Sequence, residues 1–463
     1  MRFKRGGSGG TGNALGCGND NTIIDHTTAA WGTDETLSTR GAKNVTFQYS
    51  MISEALGITG HKNYSDGSNH GFAATIGGSV GSFSHNLLVN CYGRNWSMGG
   101  GLDGAGNAAG ELDMFNNTCY NWGSRTTDGG ALHMQFVNNY YKMGEASSQT
   151  KLFIAQNEDF DHREQFAYVS GNIRENKDHS LTNDKKGTTY DASGPEKDKT
   201  WYNEPFFPSY ATIHSAKDAF KIVTSDAGAT MPCRDDQHLR NVMETLKGTW
   251  TYKGSRSGIK GEIDHEDDAG GWEEYPEEQR AANWDTDQDG MPDWWEEMTG
   301  SDANAANQND DPDGDGWTLL EDYLEFMAHP YVIVEAGETG EIDAKPHFAG
   351  FYGQNGNYDK VTPSYTVNTT NGLFTASVEG SKVKAVAGQT AGYGYISVTV
   401  NDGETTYTQR FGVAVTGGAT GIQTIRTDKE VKDDNYYDLQ GRRVMQPTQK
   451  GVYIHQGKTM ILK

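Results

Sequence analysis

Six stretches decide the fold: NTIIDHTTA (residues 21–29), NVTFQYSMI (44–52), SFSHNLLVN (82–90), ELDMFNNTC (111–119), ALHMQFVNNYY (131–141) and FAYVSGNIR (166–174). Each alternates apolar and polar residues and breaks at a polar turn, the period-two pattern of a strand. Aligning one polar residue of each gives His26, Ser50, Asn86, Asn117, Asn139 and Asn172, at steps of 24, 36, 31, 22 and 33 residues. A period near 22 lengthened by insertions describes a β-solenoid, in which each coil buries its apolar rows against the next and extra residues leave the stack as loops. Equivalent asparagines can then bond from coil to coil and satisfy their amides at the turns. The longest step, from Ser50 to Asn86, holds the loop TGHKNYSDGSNHGFAATIGGSV (59–80), and insertions of this kind gather on the binding face.

Beyond Asn172 the alternation decays, and DDQHLRNVMETLKG (235–248) reads as a helix opened by Asp and stopped by Gly, placed to close the last coil. The segment EIDHEDDAGGWEEYPEEQ (262–279) has the acidic, Gly- and Pro-containing composition of an exposed linker or arm. From Tyr331 to Thr416, YVIVEAG, SYTVNTT, KVKAVAG, YISVTVNDG and YTQRFGVAVT alternate between Gly, Asn and Asp turns, as in an immunoglobulin-like β-sandwich. The 59 glycines supply the positive-φ corners that many short strands need, so the class is all-β.

The formal charge of −24 is local. Between Gly261 and Asp322 stand 22 Asp or Glu and one basic residue, Arg280, so the rest of the chain is near neutral and free to meet a polyanion. The acidic balance excludes nucleic acid, whose binding is driven by cations that displace counterions from phosphate. Cys17, Cys91, Cys119 and Cys233 are too few and too scattered for a disulfide framework and lack CxxC spacing; they read as small buried apolar residues. No apolar run approaches the roughly 18 to 20 residues that span a bilayer. Met1 to Gly10 is basic and glycine-rich without the apolar stretch of a secretion signal, so either the protein stays inside the cell or its true beginning lies upstream.

Asp285, Asp287, Asp289, Gly290, Asp293 and Glu296 occupy positions 1, 3, 5, 6, 9 and 12 of an EF-hand-like loop. Calcium takes six to eight hard oxygens, Gly permits the tight bend, and the last carboxylate can bind with both oxygens. A second copy, Asp311, Asp313, Asp315, Gly316 and Asp322, begins 26 residues later. Unbound, so many carboxylates repel, which makes Ca2+ a condition of folding. The loops resemble thrombospondin type 3 and dockerin repeats and read as structural. The expected organisation is a solenoid over 1–260, an acidic arm over 261–283, the calcium loops over 284–328, the sandwich over 329–418, and a linker with a closing segment over 419–463.

The series GNALGCGNDNTIIDHTTAAWGTDETLS (12–38), NVTFQYSMISEAL (44–56), HKNYSDGSNHG (61–71), SFSHNLLVNCYGRN (82–95) and VNNYYKMG (137–144) resembles polysaccharide lyase family 1, the pectate lyases. A weaker likeness continues through DAGATMPCRDD (226–236) and GGWEEYP (270–276). The resemblance implies a right-handed parallel β-helix with upstream coils, acting on pectate, an acidic plant polysaccharide. Such enzymes remove the C5 proton of a galacturonate and expel the oxygen at C4. An ionised carboxylate makes that proton hard to remove, so calcium or cationic side chains must neutralise it.

On this resemblance Arg94, in CYGRN, matches the family's catalytic arginine and would touch the substrate as the base. An arginine is a poor base unless its surroundings are crowded with cations. Lys62 matches a substrate-binding lysine that would contact a uronate carboxylate, and Asp34 a calcium-binding acid of the cleft, with Glu35 facing the other way. Asn13 stands where family members carry a calcium-binding aspartate, and its amide oxygen would hold the ion more weakly. The family's second cleft arginine, a few residues after the first, is absent from NWSMGGG. Asp25 and His26 are expected to support the fold near the cleft. Trp31, Trp96 and Trp122 are expected to pack in the coils, with stacking on sugar rings as the alternative.

The closing segment YYDLQGRRVMQPTQKGVYIHQGKTMILK (436–463) is similar to a type IX secretion sorting tail, which implies a secreted protein or one on a bacterial cell surface. Two other functions compete with the lyase. A noncatalytic carbohydrate-binding or adhesive surface protein would use the same modules. A polygalacturonase-like hydrolase would need clustered carboxylates to activate water, and the turn after IIDH offers none.

Overall fold

The computed structural model describes residues 1–7, 9–99, 102–103, 106–157, 165–274, 279–353, 356–369 and 372–420, with backbone strands at 436–438, 443–444, 451–455 and 458–462. Each of the six stretches holds parts of two strands joined by a bend, and in each coil a third strand follows. Stacked coil on coil they give three sheets. The first face contains Thr22–Asp25, Asn44–Gln48, Val80–Ser84, Glu111–Phe115, His133–Val137, Phe166–Ser170 and Trp201–Tyr202. The second contains Arg2–Lys4, Thr28–Ala30, Met51–Ser53, Leu87–Val89, Thr118–Tyr120, Tyr140–Lys142, Ile173–Glu175 and Leu181–Asn183. The third contains Leu15–Gly16, Glu35–Ser38, Phe72–Ile76, Ser97–Met98, Thr127–Gly129, Phe153–Gln156 and Tyr190–Ser193. Neighbouring strands run parallel, except that Leu181–Asn183 is antiparallel to Ile173–Glu175. The chain therefore folds as a parallel β-helix, and inward rows such as Phe47, Phe83, Met114 and Phe136 fill it.

Side-chain amides hold the bend between the first and second faces. Asn86 Nδ2 donates to Asn117 Oδ1 (2.9 Å), Asn117 to Asn139 (3.1 Å) and Asn139 to Asn172 (2.9 Å), all buried. Each Oδ1 also accepts a backbone N–H from the preceding coil, so no amide is left unmatched where water cannot reach it. At one end the Thr27 N–H donates to Ser50 Oγ (3.0 Å), and at the other Asn172 donates to Asp184 (3.1 Å). Thr27, not His26, is thus the first rung. His26 starts the adjacent column with Tyr49, His85, Asn116 and Asn138, whose backbones are left-handed with φ between 43 and 55°. Stacking of His26 on Tyr49 (5.3 Å) and of Tyr49 on His85 (4.7 Å) supports that strained column where no asparagine serves.

Ser215 and Asp235 cap two helices, α1 (Ala216–Asp226) and α2 (Asp236–Lys247), by accepting the N–H three residues on, and Gly248 stops α2 with φ 69°. Phe220, Val223, Val242 and Leu246 pack on Leu87, Val89, Tyr120 and Tyr140 of the second face. Helix α2 therefore covers the flank of the solenoid and does not close its last coil, because the matching apolar row lies along the side of the stack. The acidic stretch after Gly261 does not start as an exposed arm. Ile263 is buried among Ala30, Trp31 and Leu56, and Asp264 accepts the backbone N–H groups of Ile58, Arg256 and Ser257.

Tyr331–Glu335, Thr406–Thr416, Thr390–Asn401 and Ser364–Asn368 form one further sheet, and Thr339–Asp343, Lys382–Ala387 and Phe374–Glu379 another. They share a core that includes Phe374, Val383, Ile396, Val398 and Phe411. Two short helices follow the acidic loops, α3 (Asp293–Thr299) and α4 (Leu319–Met327), and pack through Trp295 and Phe326 against Ala391 and Ala414. Among the described residues no helix is long and apolar enough to cross a membrane.

Candidate active site

Strand register aligns four coils on the third face. Glu35 lies opposite Phe72, Phe72 bridges to Gly93, and Ser97 is paired with Thr75 on one side and Asp128 on the other. Arg94, at the bend beside Gly93, has left-handed backbone (φ 53°) and donates to the Glu35 carboxylate and to Thr75 Oγ1 (3.3 Å). Its guanidinium lies 4.3 Å from the centre of the Phe72 ring. One coil on, Arg125 grips Asp128 with two bonds of 2.7 and 2.8 Å and lies 5.3 Å from the same ring. Gly93 permits this crowding, since a Cβ there would meet the Arg125 side chain at 3.1 Å and the Phe72 ring at 3.3 Å. Burial, then the Arg125 cation, lower the proton affinity of Arg94 against the pull of Asp34 and Asp128. Burial and the second cation favour the neutral form of Arg94, whereas its bond to Glu35 favours the charged one.

Asp34, on the rim of this face, accepts from His70 Nε2 (2.8 Å, as the Nε2–H tautomer), and His61 Nε2 lies 3.6 Å from the same oxygen. The His70 hydrogen bond, aided by the two imidazoles' charge, holds the Asp34 carboxyl below its usual range against burial. Lys62, next to His61, is exposed on the insertion loop. Asn13 is exposed too; it follows Gly12, whose carbonyl accepts the Thr33 N–H (3.0 Å) and the Asp34 N–H (3.3 Å). The structure thus brings Asp34, Arg94 and the chain around Asn13 and Lys62 to one face, and with them Glu35, which does not face the other way as expected but bonds Arg94 and Thr75. It adds Arg125, His61 and His70, which sequence reading missed although a signal existed. Arg125 stands 31 residues after Arg94 and His70 stands 36 after Asp34, the same steps as Asn86 to Asn117 and Ser50 to Asn86.

Trp31, Trp96 and Trp122 are fully buried, so none offers a stacking surface. Asp25 and His26 lie on the first face, where His26 contacts Asp25 (2.5 Å) and Asp226 of α1 (3.4 Å), away from Arg94. Cys17, Cys91 and Cys119 are buried and free, whereas Cys233 is exposed.

In the first acidic loop the carboxylates of Asp285, Asp287 and Asp289 converge within 4.8 Å. Glu296 is wholly buried beside them with neither oxygen hydrogen-bonded, and Asp287 Oδ2 is orphaned as well. Burial and the like charges of Asp287, Asp289, Asp293 and Asp285 push the Glu296 carboxyl up to about 7. Asp293 instead accepts from Thr286 N–H and Oγ1 (2.8 and 2.7 Å). In the second loop Asp311, Asp313 and Asp315 converge and are exposed, while burial raises the carboxyl of Asp322.

No family model matches the chain. Curated relatives do. A probable pectate lyase C of Aspergillus flavus is 31% identical over 332 residues, covering 69% of each chain, and its counterpart in Aspergillus oryzae matches to the same extent. That of Emericella nidulans is 29% identical over 330 residues, 69% of this chain and 68% of the relative. With a parallel β-helix, an arginine pair in line on one face and kinship over two thirds of both chains, this chain belongs to the pectate lyase family.

Proposed function

We propose that the chain cleaves pectate by β-elimination on the third face of the β-helix. The observation that carries this reading is the pair of guanidinium groups, Arg94 and Arg125, over one Phe72 ring. A uronate carboxylate placed there meets the Arg125 cation, which stabilises the negative charge that grows on it as the C5 proton leaves. Arg94, in the neutral form that burial and the Arg125 cation favour, takes that proton and becomes the guanidinium, held in place by Glu35 and Thr75. The C5–H electrons form the C4–C5 double bond, the C4–O bond breaks, and the leaving oxygen is protonated from solvent. Lys62 binds a neighbouring uronate from the insertion loop. Arg125 takes over the work of the second arginine absent from NWSMGGG, reaching the site from the next coil.

Calcium belongs, on this reading, to the acidic loops. The unpartnered oxygens of Glu296 and Asp287 are what a cation of this class would satisfy, with Asp285 and Asp289 beside them and Asp293, whose oxygens accept from Thr286, at the edge of the site. Asp311, Asp313, Asp315 and Asp322 form the second site. A match covering 69% of a 463-residue chain takes in the first loop and Asp311, Asp313 and Asp315 of the second wherever it begins, which supports their being part of the family's chain. Asn13 and Asp34 do not fit calcium, since the oxygen of Asp34 faces imidazoles and not further oxygens, and no step of the reaction is routed through an ion there. The division at 283, 328 and 418, the immunoglobulin-like sandwich and the export of the protein from a bacterial cell by its closing segment complete the proposal; part of that segment lies outside the described residues.

Incubation of the chain with polygalacturonate tests this. The expected result is rising ultraviolet absorbance from the unsaturated product, lost by roughly 10²- to 10⁴-fold in Arg94→Ala. New reducing ends without absorbance would mark a hydrolase, and binding with neither signal a noncatalytic protein. Full activity of Arg94→Ala would remove Arg94 from the role of base.

A further inference from the structure

The chain from Glu54 to Gly71 leaves the stack as a loop between Met51–Ser53 and Phe72–Ile76. His61 and His70 bring it back to one carboxylate, Asp34, on the preceding coil. The three donor atoms lie within 4.8 Å of one another, with His70 Nε2 at 2.8 Å and His61 Nε2 at 3.6 Å from Asp34 Oδ1. Ligand atoms around a tetrahedral ion with bonds of about 2.0–2.1 Å stand roughly 3.3 Å apart, and the two measured separations bracket that value.

The imidazoles are 3% and 2% exposed, whereas Asp34 is 26% exposed, so a bound ion would keep one side open. His61 Nε2 is buried, points at Asp34 and has no hydrogen-bond partner. An unmatched polar atom of this kind is unfavourable, and a metal bond would satisfy it. Tyr64 packs on both rings at 4.9 and 4.3 Å, and Phe72 on His70 at 4.2 Å, fixing their orientation.

The geometry points to a binding site for a divalent transition-metal ion of the zinc class, formed by Asp34, His61 and His70. Two imidazoles, one carboxylate and an open position suit that class, while calcium needs six to eight oxygens. The ion would staple the 54–71 loop to the coil beneath it and set Lys62 at the rim of the Arg94 face. Binding displaces the proton between His70 and Asp34. It also gives up the contact of the Asn63 N–H with His61 Nδ1 (3.2 Å), because that nitrogen then carries the ring proton.

The site stands apart from the lyase reading, and its test reads binding and not turnover. The full chain is stripped with chelator, given excess Ca2+ to fill the acidic loops, and titrated with Co2+. One equivalent should develop the intense visible bands of a low-coordinate nitrogen and oxygen site, and Zn2+ should displace it. X-ray absorption of the Zn2+-loaded wild type should show two imidazoles, and trypsin should cut after Lys62 at least tenfold more slowly with Zn2+ than without. His61→Gln and His70→Gln should each weaken Co2+ binding at least tenfold, whereas Glu296→Gln should not. Absence of the visible bands, bands unchanged in both histidine variants, or a zinc spectrum without imidazole would each overturn the proposal.

Discussion

Asp184 ends the asparagine ladder on a carboxylate where an amide would have continued it. It accepts from the Asn172 N–H (2.8 Å) and Nδ2 (3.1 Å), yet burial outweighs these bonds and pushes its carboxyl up to about 6 from 3.8. A carboxyl whose folded value is raised binds more protons folded than unfolded, so stability falls as pH rises from about 4 to 6 and is level above that window. Asp184→Asn keeps an acceptor for Asn172 without the charge. It is expected to raise stability at pH 7 by about 1–2 kcal/mol and to flatten the slope between pH 4 and 6, read by denaturant unfolding at several pH values. The same scale decides the cleft. Arg94 and Arg125 are far apart in sequence, and only their common approach to Phe72 makes them one electrostatic unit.

Among elements, the first acidic loop crowds like charges together, as the proposed calcium site requires. Glu296 projects from α3 into a cluster of like charges, and its helix also presents Trp295 to the core shared with α4. Calcium at 100 times its Kd should stabilise this part of the chain by about 2.7 kcal/mol, seen as a rise in melting temperature. Glu296→Gln should lose most of that gain. In chelator at pH 8, however, the variant should melt above the wild type, because the amide removes one buried charge from the cluster. A variant less stable than the wild type under chelator would contradict the assigned ligand role.

Across the whole molecule, α1 joins the solenoid to the strand block at 331–416. One of its faces packs on the second face of the β-helix. From the same helix Lys221 pairs with Asp402 at 2.6 Å, both nearly fully buried, and Asp226 accepts from Tyr407 (2.7 Å) while it meets His26. Breaking a buried pair from one side leaves a charge without a partner, at about 3–5 kcal/mol. Lys221→Ala should therefore make the strand block unfold separately, and earlier, in calorimetry. A single unshifted transition would show that the pair does not couple the two.

The sequence by itself determined what repeats or is local. Alternation and the asparagine steps gave the coils, capping residues gave α2, and the spacing of carboxylates gave the acidic loops, because each depends on neighbours close in the chain or on one period. Rung assignment failed by one residue at His26, since choosing by polarity cannot tell a ladder hydroxyl from the left-handed residue beside it. Tertiary structure alone decided that α2 lies along the flank, that Ile263 is buried, and that His61, His70 and Arg125 join Asp34 and Arg94. Those outcomes depend on which coil lies above which and on how far an insertion folds back; for Arg125 and His70 the only mark in the sequence is a step equal to that of the ladder, which gains meaning once the coils are stacked.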